Sequence, residues 1–522
     1  MAEATLRCKR IAARQTDTLC GYSVLVVTLV LLFNLPNHGL AAISDSGMSS
    51  ERGWKVSAQT SVLQSSFVYT LNGGSAVNTV SGFSVGATGA LATIPGSPFP
   101  TGGGSGGFFN DIRVSPNGNF LFASNDRDAS ISVFSINSIT GSLTPVSGSP
   151  FQSGTGVSFG SLGLALSSDG RLLFAANTLI TGKLAVFTVA PTGALTAIAG
   201  SPFSGTNLGL TSITLSADDR FLFLAQNSDR VDVRSVASDG ALTPVTGSPF
   251  QTQPDRPVDE RGDIVSIAIN CSRTFVFAGL VTGEIAVLNI AANGALSPVS
   301  GSPFGPVSLG DELVMNDPTS GLLFASNRGL RTISAMNVST TGSLSVVPGS
   351  TVFLGDNNNE DRIPIDMDVN REGTLIYVMN ADSTVHVLNK SPKGMLALVP
   401  GSPFVNMHSG FGAMLAAAPP GKCSGSFDLC VQDDSSTGVL KLNSTTGDYE
   451  FTNCAGVVLG GTGALRIKGC SMSLEDIRPD RRLLAKMDRC SMKATASLQV
   501  FAQGRTFSIT DRNTSNNTCS CH

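Results

Sequence analysis

The chain has 522 residues, enough for more than one domain, although repeat proteins of this size also fold as single units. Charged residues make up 14% of it, against about 25% in an ordinary globular protein, and tryptophan occurs once. This composition favours short strands and tight turns over long solvated helices. The formal net charge of −4 provides no basic field, so we expect no nucleic-acid partner.

The N-terminal segment is typical of an export signal. Four basic residues between Arg7 and Arg14 precede an apolar run at about residues 22–35, and small residues follow around Ala42. A run of about 14 apolar residues is short for a membrane span, which needs about 20. We therefore expect residues 1–41 to be a cleaved signal peptide, 42–64 to be a lead-in segment and the mature protein to be exported. A retained membrane anchor is the alternative.

Seven copies of one short pattern follow, each reading Gly-x-Leu, four further residues and then Gly-Ser-Pro-Phe. Successive copies lie 47 to 54 residues apart and begin at Gly89, Gly141, Gly193, Gly240, Gly294, Gly342 and Gly394; only the copy at Gly342 loses the Ser-Pro-Phe ending. A period near 50 residues, filled with short apolar runs, is typical of β-propeller blades. We interpret the prolines as ending the outer strand and the phenylalanines as packing between adjacent blades.

A complete unit contains four strand candidates. In the second unit these are residues 111–115, 120–124, 130–136 and a strand at Gly141, with an Asn-Gly turn between the first two. Alternating and β-branched residues bounded by such turns are typical of hairpins. An asparagine often ends the second strand, where we expect its side chain to cap the turn that follows: Asn72, Asn125, Asn177, Asn227, Asn327 and Asn380.

The first unit has no inner strand of its own. It begins at its second strand, at residues 67–70, whereas residues 411–417 form a spare inner strand after the last copy. Because exposed strand edges invite aggregation, we expect the spare strand to pair with the first unit and close a ring. The prediction for residues 65–420 is an all-β, seven-bladed β-propeller closed by a C-terminal inner strand. Eight blades would leave a strand unpaired.

Residues 421–522 differ in composition and hold seven of the ten cysteines: Cys423, Cys430, Cys454, Cys470, Cys490, Cys519 and Cys521. Several alternating segments predict a small antiparallel β-domain, such as a sandwich. In an exported protein, clustered cysteines indicate disulfides. Zinc is the rival interpretation, but the spacings do not form paired Cys-x-x-Cys knuckles.

The repeat resembles that of the lactonase-like seven-bladed propellers, a family that includes 6-phosphogluconolactonase and YVTN-type surface propellers. The resemblance covers about residues 67–420 and rests on Phe122-Ala123-Ser124-Asn125 and on the equivalent segments that end at Asn177 and Asn327. These motifs belong to the scaffold and imply the fold, not a chemistry. The C-terminal domain is similar to a cysteine-containing β-module appended to some exported bacterial propellers.

Propellers commonly bind ligands where the loops that lead into the inner strands meet at the channel mouth. We expect these positions to line that mouth: Asn110, Asp111, Ser161, Thr211, Asp263, Asp311 and Arg362. His408 lies in the equivalent loop and could act as a base with Asp263 or Glu312, assisted by Arg362. A polar, water-filled channel opening without catalysis is the alternative. We expect His386, within a third strand, to be structural.

The sequence leaves two functions open. We favour an exported binding module for a glycan, peptide or protein ligand, and we expect a monomer without a cofactor or metal. The acidic loop at residues 356–361 could hold Ca²⁺, although its spacing matches no calcium-binding loop and a solvated loop is the simpler reading. The alternative is a lactonase-like hydrolase that opens a sugar-acid lactone, a proposal that would rest on fold analogy.

Overall fold

We describe a computed structural model of the chain. It describes residues 66–73, 77–104, 110–154, 162–177, 182–204, 209–305, 312–317, 319–355, 363–405 and 414–418, together with the C-terminal strands between residues 426 and 508. Within these residues, no helical segment is long and apolar enough to cross a membrane. The predicted signal peptide and lead-in segment lie outside the described residues.

Residues 66–418 form seven antiparallel sheets, which we number as blades 1 to 7. The inner strands of blades 1 to 7 are, in that order, Met414–Ala418, Ile112–Val114, Leu162–Leu166, Leu210–Leu215, Ile264–Ile269, Glu312–Asn316 and Pro364–Val369. The second strands are Ser66–Asn72, Phe120–Asn125, Leu172–Asn177, Phe221–Gln226, Phe275–Leu280, Leu323–Asn327 and Leu375–Asn380.

The two outer positions of each blade follow the same order. The third strands are Val77–Val85, Ser130–Ile136, Leu184–Val189, Arg230–Val236, Ile285–Ile290, Thr332–Val338 and Thr384–Lys390. The fourth strands are Leu91–Thr93, Leu143–Pro145, Leu195–Ala197, Leu242–Pro244, Leu296–Pro298, Leu344–Val346 and Leu396–Leu398. One 3-10 turn, Val258–Glu260, lies in the connection between blades 4 and 5.

The predicted ring closure is confirmed. Met414–Ala418 pairs antiparallel with Ser66–Asn72, so the C-terminal inner strand completes blade 1. Hydrophobic clusters join every pair of neighbouring blades, and the last one joins blade 7 to blade 1 through Tyr377, Val68 and Leu415. The fold is therefore a closed seven-bladed β-propeller, held by burial of apolar side chains between blades.

The repeated Gly-Ser-Pro-Phe segment adds a short fifth strand that the sequence did not predict. Its phenylalanine returns to pair with the third strand beside the fourth, as Phe151 does with Ile131. The Ser–Pro peptide bond is cis in all six copies that retain it. The fifth strands are Phe99–Gly104, Phe151–Gln152, Phe250–Gln251, Val352–Phe353 and Phe404–Val405, with single bridges at Phe203 and Phe304.

The buried asparagines link two strands of a blade. Asn125 ends the second strand of blade 2, and its Nδ2 donates to the hydroxyls of Ser130 and Ser132 in the third strand. In blade 4 the equivalent position is Gln226, the last residue of its second strand, and Asn227 follows that strand. The expectation for Asn227 was therefore one residue out of register.

The described residues of the C-terminal stretch include nine strands in one antiparallel sheet. From one edge to the other they are Val458–Thr462, Asp448–Asn453, Thr437–Asn443, Ser426–Gln432, Arg505–Ser508, Lys493–Val500, Arg481–Asp488, Ser471–Arg478 and Ala464–Lys468. Cys430 lies in the strand Ser426–Gln432, and the other six candidate disulfide cysteines lie outside the described residues. The disulfides stay a prediction.

Candidate functional site

The inner strands of blades 2 to 7 line a central cavity of about 910 Å³. This volume lies within the range of about 300–1,000 Å³ that is typical of small-molecule sites. The inner strands can be aligned through the residue whose carbonyl accepts the hydrogen bond of the following turn, for example Ser115 from Gly118 and Asn370 from Gly373. We call this residue the turn residue, and it allows the inner strands of blades 2 to 7 to be compared position by position.

Two aligned positions distinguish the blades. Four residues before the turn residue lies the mouth position, and two residues before it lies the middle position. In blades 2 to 7 the mouth position holds Asp111, Gly163, Ser212, Ser266, Leu313 and Asp366. The middle position holds Arg113, Ala165, Thr214, Ala268, Met315 and Asp368. At these two positions, charged side chains occur only in blades 2 and 7, which flank blade 1. We call Asp111, Arg113, Asp366 and Asp368 the charged wall.

The blade 2 half of the charged wall is an ion pair that also reaches blade 3. Arg113 Nη2 lies 3.2 Å from Asp111 Oδ2, and the same oxygen accepts a 2.8 Å hydrogen bond from the Leu164 N–H. Arg113 Nε donates to the Leu164 carbonyl at 3.1 Å. The Asp111 side chain is 9% exposed and that of Arg113 is 42% exposed. The guanidinium therefore keeps a face open to the channel.

The blade 7 half binds the strand that closes the ring. Asp366 Oδ2 accepts a 2.8 Å hydrogen bond from the Leu415 N–H, and Asp368 Oδ2 accepts one of 2.7 Å from the Ala417 N–H. Their Oδ1 atoms accept from the N–H groups of Met367 and Val369 in their own strand. Both carboxylates thereby occupy otherwise unpaired donors on the inner edge of the closing strand.

Bridging between inner strands does not require a charge. Between blades 5 and 6, the hydroxyl of Ser266 at the mouth position accepts a 3.0 Å hydrogen bond from the Val314 N–H. A neutral oxygen therefore makes the same connection that Asp111 and Asp366 make elsewhere. Burying a charge costs free energy. The charged wall contains more charge than the scaffold needs.

Burial shifts the pKa values of the carboxyl groups in the charged wall. Burial raises the pKa of Asp366 to about 7, against the pull of Arg113 and of the hydrogen bond from Leu415. Burial also raises the pKa of Asp111 and of Asp368. For Arg113, burial opposes the charged form, but the three carboxylates outweigh it and raise the pKa. Asp366 therefore exchanges its proton near neutral pH.

Comparison with known proteins bears on this scaffold. Residues 64–159, which contain blade 2 and all of blade 1 except its inner strand, match the family described as "Lactonase, 7-bladed beta-propeller". The propeller is lactonase-like. No curated protein matches the sequence.

Solved structures agree with the lactonase-like fold. A protein from Bacteroides fragilis with the provisional name 6-phosphogluconolactonase superposes with a TM-score of 0.52 at 17% identity, covering 69% of this chain and 99% of that one. A protein from Lactobacillus plantarum superposes with a TM-score of 0.50 at 16% identity, covering 68% of this chain and 99% of that one. Identities this low show a shared fold and nothing about chemistry.

Of the predicted mouth residues of the lactonase-like propeller, Asp111 belongs to the charged wall. Asn110 precedes it and is fully buried; its Oδ1 accepts a hydrogen bond from the Asp126 N–H, whereas its Nδ2 has no hydrogen-bond partner. An unsatisfied buried donor costs about 1–3 kcal/mol. Thr211 and Asp263 are exposed, on blades 4 and 5. Ser161, Asp311 and Arg362 lie outside the described residues.

The predicted acid–base set stays a prediction. His408 and Arg362 lie outside the described residues, Glu312 begins the inner strand of blade 6, and Asp263 is exposed. His386 is 2% exposed and its Nδ1 lies 2.7 Å from Asn380 Nδ2. Among the described residues, no three His, Cys, Asp or Glu side chains are placed to share a metal ion. The acidic segment at residues 356–361 is not among them.

Sequence reasoning missed Arg113, Asp366 and Asp368 because it looked for chemistry in loops and around histidines. The signal was present in the repeats. Placing the inner strands in register by their turn residues would have shown charge at equivalent positions of only two units.

Proposed function

We propose that this chain is an exported binding protein whose lactonase-like propeller holds a small polar ligand against the charged wall of its channel. The observation that carries the proposal is that, at the mouth and middle positions of the inner strands, charged side chains occur only in blades 2 and 7. Ser266 supports it, because it bridges two blades without a charge. A repeat that departs from its pattern at a few converging positions is typical of a ligand site.

Ligand binding is tested with the mature chain, from Ala42 onward, by isothermal titration against a panel of glycans, peptides and lactones. Arg113→Gln should weaken binding of any ligand found by about tenfold or more, because a charge-assisted hydrogen bond to the ligand is lost. Lys393→Gln is the matched control, since it also removes one positive charge but from an exposed outer loop that does not line the cavity. Equal affinity in both variants would contradict the proposed site.

Export is a separate part of the proposal and rests on the N-terminal pattern of basic, apolar and small residues. Expression of the full chain in a bacterial host, followed by mass determination of the recovered protein, tests it. We expect loss of about 41 residues and recovery outside the cytoplasm. An intact N-terminus on a membrane-bound product would favour the anchor instead.

Lactone hydrolysis is the second candidate, and the position of Asp366 beside the charge of Arg113 favours it. The Asp366 carboxylate would take a proton from water as the water oxygen attacks the lactone carbonyl, and Arg113 would stabilise the developing oxyanion. The ring C–O bond then breaks, the released alkoxide takes the proton held by Asp366, and the products are a hydroxy acid and the regenerated Asp366 carboxylate. Activity should rise with pH through about 7, as Asp366 loses its proton.

Two variants separate the enzyme hypotheses. Asp366→Asn should abolish turnover of a lactone panel if the charged wall acts as the base, and His408→Ala should abolish it if the loop histidine does. Turnover lost only in His408→Ala would move the active site to the predicted acid–base set. Binding without turnover of any lactone would support the binding function and contradict hydrolysis.

A further inference from the structure

We infer that the charged wall selects an uncharged, hydroxyl-rich ligand, such as a sugar or sugar lactone without phosphate, and rejects phosphorylated counterparts. This inference rests on the proposed binding function and specifies its ligand class. It departs from what the name of the Bacteroides fragilis neighbour suggests, since that name refers to a phosphorylated sugar acid.

The charged wall has a net negative charge. The charged wall contains three carboxylates and one guanidinium, which leaves two net negative charges when all four are ionised and one when Asp366 holds a proton. At the other end of the cavity, Asp169 and Arg171 lie 3.9 Å apart and cancel one another. A phosphate dianion in this cavity would face a net negative wall within a partly desolvated space, where repulsion is stronger than in water.

Arg113, the cation of the charged wall, already contacts neighbouring groups of the protein. Phosphate is typically held by an arginine that presents two parallel N–H groups to its oxygens. Arg113 already directs Nη2 to Asp111 and Nε to the Leu164 carbonyl. Three of its five N–H groups remain for hydroxyl or carbonyl oxygens of a ligand, but its positive charge is already matched by the carboxylate of Asp111, which leaves little to attract a dianion.

The carboxylates of the charged wall have spare hydrogen-bonding capacity. Each oxygen of Asp366 and Asp368 accepts one backbone N–H, and a carboxylate oxygen has about two acceptor sites.

Blades 4 and 5 add uncharged side chains to the lining, with the hydroxyl groups of Ser212, Thr214 and Ser266. A hydroxyl donates one hydrogen bond and accepts two, so a polyol matches a lining of carboxylates and hydroxyls.

The test compares matched pairs that differ only in phosphate: glucose with glucose 6-phosphate, and glucono-1,5-lactone with its 6-phosphate. Titration of the mature chain should show the neutral member bound about tenfold or more tightly. In the double variant Asp366→Asn, Asp368→Asn this preference should shrink by about tenfold, because the net negative charge is gone. Asparagine keeps a neutral acceptor for the closing strand, and the melting temperature reports whether the variant folds.

Ionic strength provides a second readout on the unmodified protein. Raising salt from about 50 mM to about 500 mM should strengthen binding of the phosphorylated member and leave the neutral member unchanged, because salt screens repulsion. Tighter binding of the phosphorylated member in the unmodified protein would overturn the inference while keeping the proposed function. Binding of neither member of any pair, with binding of another ligand of the panel, would overturn the inference alone, whereas no binding by any ligand of the panel would overturn both.

Discussion

The first glycine of each repeat lies where a side chain has no room. Gly193 has a φ of +85°, and a Cβ built on it would lie 2.6 Å from Cε1 of Phe120 in the preceding blade. Left-handed backbone costs a non-glycine residue about 1–2 kcal/mol. The side-chain contact adds an overpacking cost of about 1–3 kcal/mol. Glycine here permits both the turn and the approach of the next blade.

We therefore expect Gly193→Ala to lower the free energy of unfolding by about 2–4 kcal/mol in urea titration. Gly321→Ala is the matched control, because Gly321 has a φ of +71° but no atom within 4 Å of its Cβ position. It should lose only the backbone share, about 1–2 kcal/mol. Equal losses would show that the contact with the neighbouring blade costs nothing.

Asp366 should make stability depend on pH. Its pKa is about 7 in the folded protein and about 4 in an unfolded chain. Between these values the folded state holds a proton that the unfolded state has released, so the contribution is fully present below pH 4 and is lost as pH rises through 7. Asp366→Asn should reduce the change in unfolding free energy between pH 4 and pH 7 by on the order of 1 kcal/mol. This figure is lowered to allow for screening by channel water.

Melting temperatures of the parent and of Asp366→Asn at pH 4.5 and pH 7.5 measure this slope. Asp239→Asn, which changes an exposed carboxyl on an outer loop, serves as the control and should follow the parent. The same slope in all three proteins would show that Asp366 titrates as an ordinary surface carboxyl.

At the residue scale, sequence reasoning reached part of the site. Asp111 was predicted because it follows a loop, where ligand-binding residues are common. Asp366 and Asp368 read as ordinary alternation within a strand, and their approach to Arg113 depends on closure of the ring, which spacing along the chain does not reveal.

At the scale of elements, the serine of each Gly-Ser-Pro-Phe segment anchors the third strand. Its hydroxyl accepts a backbone N–H from that strand in all seven blades, at Ser97, Ser149, Ser201, Ser248, Ser302, Ser350 and Ser402. The blade 6 copy, which loses proline, keeps the interaction. The sequence predicted the role of proline, but not that of serine, because the N–H donor lies 15 or 16 residues away in the chain.

Ser149→Ala should therefore cost about 1–3 kcal/mol of unfolding free energy, because it leaves the part-buried Val133 N–H without its acceptor. Ser135→Ala on the same strand is the control, since its hydroxyl hydrogen bond is exposed and water can replace it. Chemical denaturation of both variants provides the comparison. Equal stability would reduce the serine to a turn former.

Most elements of the propeller could be predicted from the sequence because each blade repeats the same hairpin signals. The short fifth strands could not, since two residues such as Phe151–Gln152 give no periodicity and owe their pairing to the turn before them. The register of blade 4 was misjudged because Gln226, and not the asparagine that follows it, ends the second strand there.

At the scale of the whole molecule, the closing strand determines whether the ring exists. Met414–Ala418 covers the edge of Ser66–Asn72, and Leu415 and Ala417 are buried between blades 7 and 1. Its N–H groups also bind the carboxylates of the charged wall. The strand therefore joins the two ends of the ring and supports the site at the same time.

Two truncated chains isolate this contribution, one ending at residue 420 and one at residue 412. The longer chain keeps the closing strand and should elute as a compact monomer. The shorter one exposes an edge strand and apolar residues and should aggregate or unfold. Identical elution volumes and melting temperatures would mean that the ring does not need this strand.

A crystal structure of the mature protein with the tightest ligand from the binding panel would locate the binding site. We predict ligand density in the central channel, with polar atoms about 3 Å from Arg113 and from Asp366 or Asp368. Density at the outer faces of the blades or on the C-terminal sheet, with the channel unoccupied by that ligand, would contradict the charged wall as the binding site.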